Sequence, residues 1–127
     1  NVTNMSSLFN QCLTFNQDIS NWDVSNITSF DSMFYAAFEF NQDISNWDVG
    51  SATTTNSMFN VAKKFNQDIS SWNLSNVSDM RHMFSEAESF NQNISDWDVS
   101  NVTECKYFSL NSGLELNYIP SLPSGCM

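Results

Sequence analysis

The chain repeats itself every 25 residues. Phe15, Phe40, Phe65 and Phe90 align, then Ile19, Ile44, Ile69 and Ile94, then Trp22, Trp47, Trp72 and Trp97. Val24, Val49, Leu74 and Val99 come next, followed by Ile27, Ala52, Val77 and Val102. Phe9, Phe34, Phe59 and Phe84 complete the set, with Cys12, Ala37, Ala62 and Ala87 three residues later. Apolar residues recurring at a fixed period of roughly 20 to 50 residues mark a solenoid, in which each unit buries its apolar side only against its neighbours. One such unit alone is unstable, whereas four stacked units share a continuous core. Residues 1–108 therefore read as four to five stacked repeats, the first of them partial, and 109–127, where Pro120, Pro123 and Gly125 break the pattern, as an irregular C-terminal cap.

Within a unit, Ile44, Trp47 and Val49 have the spacing of a short leucine-rich-repeat strand, with Trp47 and Val49 on one face and Asn46, Asp48 and Gly50 on the other. Phe30, Met33, Phe34 and Ala37 fall at i, i+3, i+4 and i+7, the face of a short helix. Thr28, Ser78 and Thr103 suit its N-cap, with Asp31, Asp79 and Glu104 near its positive end. The expected fold is an α/β repeat solenoid: a leucine-rich-repeat-like right-handed coil with one short parallel strand and one short helical segment per repeat. The run Thr53, Thr54, Thr55 disfavours helix and predicts a looser third coil.

F-N-Q-D-I-S-N-W-D-V-S-N-I-T, from Phe15 to Thr28, followed by S-M-F-x-x-A at Ser32 to Ala37, resembles the 25-residue repeats of mycoplasma-type surface or lipoprotein repeat proteins, relatives of the BspA-like leucine-rich repeats. The resemblance covers about residues 1 to 108. It implies a secreted or cell-surface protein linked with adhesion to host or matrix, with no catalytic residues to carry over.

Fourteen acidic residues against four basic ones give a net charge of -10, which disfavours nucleic acid and anionic lipid as partners. No stretch of about 18 apolar residues occurs, and residue 1 falls inside a repeat, so neither a membrane span nor a signal peptide is expected here and the sequence reads as a piece of something longer. The only histidine, His82, has no nucleophile or orienting group at a useful spacing, and a catalytic site is singular where these columns repeat. The expectation is a non-enzyme.

Two outward columns carry the binding expectation: Asn21, Asn46, Ser71 and Asp96 beside Asp23, Asp48, Asn73 and Asp98, a polar acidic face on the concave side. It would recognise a protein or glycan on a cell or matrix surface; the alternative is a structural protein that assembles with copies of itself into a filament or surface layer without a dedicated ligand. No metal motif is present, though stacked carboxylates leave calcium open as a cofactor. The tryptophans are expected in the core, stacked at the roughly 4.8 Å interval of neighbouring strands, rather than exposed for sugar stacking. Asn16, Asn41, Asn66 and Asn91 suit an amide ladder between coils. Sequons at Asn1, Asn4, Asn26, Asn73, Asn76, Asn93 and Asn101 are candidate glycan sites; of these, Asn26, Asn76 and Asn101 share one repeat position and equally suit a turn. Cys105 and Cys126 are candidates for one disulfide.

Overall fold

The computed structural model describes residues 1–127. It is a stack of coils, taken here as 1–25, 26–50, 51–75 and 76–100, with 101–127 closing the end. The expected α/β architecture is wrong. The only helical element is one 3-10 turn at Leu116–Tyr118, no extended strand forms, and none of the 56 backbone hydrogen bonds lies within a helix or strand. No helix is long and apolar enough to cross a membrane.

Each coil is instead a succession of β-turns, most of them with apolar first and fourth residues. In the second coil, Met33 N–H donates to Phe30 O at 3.1 Å, Ala37 to Phe34 at 3.0 Å, Phe40 to Ala37 at 3.3 Å, Trp47 to Ile44 at 3.1 Å and Ala52, just beyond it, to Val49 at 3.0 Å. A β-turn brings its end residues within about 7 Å of one another, so both apolar side chains can enter the core together. The spacing that reads as a helix face is the spacing of consecutive turns.

A helix is also barred by backbone handedness. Ser32 and Ala36 have φ of 56° and 55°, and the pair recurs at Ser7 and Gln11, Ser57 and Val61, His82 and Glu86, and Tyr107 and Asn111. A left-handed residue every fourth position is incompatible with a right-handed helix. The alternate N–H groups freed in this way point along the solenoid axis. Phe30, Ser32, Phe34 and Ala36 donate to the carbonyls of Thr54, Asn56, Met58 and Asn60 at 2.9–3.2 Å, and the same set is made from every coil to the next. Parallel bridges link Asn4, Ser29, Thr54, Asp79 and Glu104, so the parallel pairing falls on the segment expected to cap a helix. There, Thr28 and Thr53 hydroxyls donate to the backbone of the coil before them rather than capping anything.

Ile44–Val49 forms no strand because its amides are used locally. Asp43 Oδ1 accepts Ser45 N–H at 2.9 Å and Asp48 Oδ1 accepts Gly50 N–H at 3.0 Å, so two Asx-turns and the Ile44–Trp47 turn bend the segment. Neither is the third coil looser. Thr54 keeps both of its bridges and Thr55 is buried, since an extended segment accepts β-branched residues that a helix would resist.

The core is a set of aromatic columns. Phe34, Phe59 and Phe84 stack at 5.5 and 5.6 Å, Phe40, Phe65 and Phe90 at 5.9 Å, and within each coil the two phenyls meet at 4.1 Å. Trp47, Trp72 and Trp97 are buried at 4%, 4% and 5% exposure, and each Nε1–H donates at 3.1 Å to the Ile carbonyl 28 residues back. The Trp47 and Trp72 ring centroids stand 6.5 Å apart, wider than the backbone interval, because parallel rings prefer to stack with an offset. Trp22 departs from the expectation of burial. It is 39% exposed, and its Nε1–H makes none of the Ile-carbonyl bonds that hold the other three.

Val61 is a β-branched residue held at φ 60°, with its N–H fixed to Ser85 O at 2.8 Å. That conformation costs a branched residue on the order of 1–2 kcal/mol and suits asparagine, which occupies the equivalent position at Asn111. Val61→Asn is expected to raise stability by about 1 kcal/mol in urea unfolding; a lower midpoint would show that the half-buried isopropyl outweighs the strain.

Beyond Ser109 the coil continues for a few residues and then shortens by one. Glu86 N–H still donates to Leu110 O, Glu115 N–H takes Asn91 Oδ1 at 3.0 Å, and Leu114 is buried against the phenylalanine columns. Gly113 sits at the shortening, where an added Cβ would lie 2.4 Å from Glu88 O, so no other residue fits without displacing backbone. The remaining tail crosses the end of the core, with Phe108 N–H donating to Cys126 O at 3.1 Å and a Cys105–Cys126 disulfide fastening it. Cys12 is free.

Candidate functional site

Both predicted columns are exposed throughout, yet they differ chemically. Asp23, Asp48, Asn73 and Asp98 each close a turn: Oδ1 accepts the N–H two residues on at 3.0–3.1 Å, and Ser25, Ser75 and Ser100 add their hydroxyls at 2.6–2.7 Å. Asn21, Asn46 and Asp96 make no side-chain hydrogen bond within the chain, and Ser71 makes only a long one to Ser45 O at 3.4 Å. One column therefore supports the backbone and the other is free to meet a partner. The signal for this division was in the sequence, as D-x-S, N-x-S or, at Asp48, D-x-G beginning at one column and never at the other.

The serine hydroxyl first, and its N–H second, hold the Asp23 and Asp98 carboxyls below the ordinary value of 3.8; Ser20, Ser45 and Ser70 do the same for Asp18, Asp43 and Asp68. Since these folded-state values are lowered, the turns contribute stability above the unfolded value and lose it as pH falls through the folded one. Acidification from about pH 4 to about pH 2 is expected to lower the unfolding midpoint. An Asp98→Asn variant keeps the turn acceptor, as Asn73 does, without a titrating group, and should lose less over the same range. Equal losses in the two proteins would remove Asp98 from the account.

Beside these columns runs the amide ladder. Asn16, Asn41 and Asn66 each accept, through Oδ1, the N–H of the asparagine in the next coil at 2.9 Å, and Gln42, Gln67 and Gln92 donate to the same oxygens. A shallow polar recess of 380 Å³ lies between the first two coils, lined by Asp18, Ser20, Gln42, Asp43, Ser45 and Asn46. No group of three or more His, Cys, Asp or Glu side chains lies close enough together to hold a metal ion, and one oxygen of each turn-closing carboxylate is already engaged.

The sequons also divide. Asn76 and Asn101 use their amide nitrogens to donate to Gly50 O at 2.9 Å and Ser75 O at 2.6 Å, so these atoms serve the coil-to-coil contact. Asn4, Asn73 and Asn93 engage only Oδ1 in turns, and Asn1 and Asn26 are exposed with no side-chain bond. His82 is half-buried, its ring 5.2 Å from that of Tyr107.

The model of one protein family, described as Mycoplasma protein of unknown function, DUF285, matches residues 3–116 of the chain. The match includes the shortened coil after Ser109. No curated protein and no solved structure matches.

Proposed function

The chain belongs to the DUF285 family of Mycoplasma proteins, and on that premise we propose that it is an extracellular or cell-surface tandem-repeat solenoid that binds a protein or glycan partner without catalysing a reaction. The observation that carries this reading is the free column. Asn21, Asn46, Ser71 and Asp96 recur once per coil, exposed, on a backbone held by Asx-turns and by the buried tryptophans. Polar groups that need no reorganisation bind at a low entropic cost, and repeating them once per coil multiplies the contacts available to an extended partner. The acidic neighbours Asp23, Asp48 and Asp98 bias the column toward partners that donate hydrogen bonds or carry positive charge.

The test is binding of the labelled chain to animal cells and to matrix-coated plates, compared with an Asn46→Arg, Ser71→Arg double variant. Neither side chain closes a turn and Ser71 makes only the long bond to Ser45 O, so melting should change little, while saturable binding should fall at least about tenfold. Undiminished binding by the folded variant would contradict the assignment. The alternative, a filament built end to end, requires complementary open ends. The tail and the Cys105–Cys126 bond cover one end of the core, which counts against it.

A further inference from the structure

The repeat changes character at two adjacent surface positions. Two adjacent positions carry Ser6–Ser7, Asp31–Ser32 and Asn56–Ser57 in the first three coils, but Arg81–His82 and Lys106–Tyr107 in the last two. All are held by the same left-handed turns, and His82 N–H donates to Lys106 O at 3.1 Å, so the two pairs lie one above the other.

The four cations of this acidic chain are not equivalent. Lys63 and Lys64 are neutralised by Glu88 and Glu39 in adjacent coils, each at 2.7 Å, and Arg81 is forked onto Asp79 at 3.0 and 2.7 Å. Lys106 alone has no carboxylate partner. Its ammonium lies over the Tyr107 ring, 4.9 Å from the centroid, and on the neighbouring coil the His82 ring stands 5.2 Å from Tyr107. We propose that Lys106, Tyr107 and His82 form a second binding site, independent of the polar column, for a carboxylate-bearing pyranose at the end of a glycan: the carboxylate meets Lys106 and the sugar's C–H groups pack into the 47° angle between the two rings.

Both the anionic group and its isolation follow from charge. A single unpaired ammonium beside aromatic surface selects one negative group attached to a ring with an apolar face. The net charge of -10 repels polyanions, and it equally repels a second copy of this chain. A terminal acidic sugar brings its one charge to Lys106 without bringing others toward Asp79 and Glu104.

The experiment is an NMR titration of the isotope-labelled chain with methyl β-D-glucuronide and with its neutral counterpart, methyl β-D-glucoside. The glucuronide should shift Lys106, Tyr107 and His82 and bind about tenfold tighter than the glucoside, the equivalent of one charge-assisted hydrogen bond. Lys106→Gln, a surface change that leaves the fold intact, should bring the two sugars to the same affinity, and Tyr107→Ser, the residue of the first three coils, should weaken both. Equal affinities in the unaltered chain would overturn the proposal. So would acetate binding as tightly as the glucuronide, or a short oligoglutamate binding tighter than either sugar.

Discussion

Replacing Phe59 by alanine is expected to cost about 3–5 kcal/mol of folding stability. Phe59 is fully buried at the centre of the stack. It touches Phe34 below at 5.5 Å, Phe84 above at 5.6 Å, Phe65 in its own coil at 4.1 Å and Trp72 at 6.2 Å. A cavity there weakens the contact with both neighbouring coils, and solenoid stability is a sum of such neighbour terms. Phe9→Ala supplies the comparison: Phe9 stacks on Phe34 from one side only and is half-buried, so its loss should be clearly smaller. Urea unfolding measures both. A cost under about 1 kcal/mol at Phe59 would mean that the columns do not hold the coils together.

Removal of the disulfide ranks second. Cys105 and Cys126 close a segment of 21 residues, and the chain-entropy account of such a loop gives about 3 kcal/mol. Cys126→Ser should lower stability by about that amount and uncover Phe108, whose N–H is held by the Cys126 carbonyl and whose ring packs edge-on against Phe84. Hydrogen exchange should then quicken first at Phe108 and next at the Phe84 N–H that it accepts, with the third coil changed least. A uniform rise along the chain would show that the tail is not a local cap; no change would show that the bond adds nothing.

What could be read in the sequence was the period and the identity of the buried columns. Phe40, Phe65, Phe90 and the later tryptophans enter the core because a stacked unit has no other apolar surface to offer. The secondary structure could not be read with the same rules. Phe30, Met33, Phe34 and Ala37 satisfy a helical period, but β-turns spanning 30–33, 34–37 and 37–40 generate the same spacing. Glycine gave no warning, because the left-handed positions hold Ser, Gln, Ala, Val, His, Glu, Tyr and Asn. The discriminating clue was D-x-S or N-x-S recurring five residues apart, as at Asp18 and Asp23, which spends backbone amides on local turns and leaves too few for either regular element.

The candidate site shows the same limit. Period-two alternation placed Asn46 and Asp48 on one outward face, and both are exposed. It did not distinguish a side chain closing a turn from one with nothing to do inside the chain, since that depends on which N–H lies within reach. The unpaired state of Lys106 was equally hidden. Lys63, Lys64 and Arg81 carry the same charge in the sequence, but coil stacking pairs the two lysines with Glu88 and Glu39, and Arg81 forks onto Asp79 within its own coil.

The most direct measurement of the account is through-hydrogen-bond scalar coupling in the labelled protein. The turn-ladder arrangement predicts couplings from the amide nitrogens of Phe34, Phe59 and Phe84 to the carbonyl carbons of Met58, Met83 and Phe108 in the next coil. Couplings from these amides to carbonyls four residues earlier in their own coil would restore the helix and contradict the fold described above.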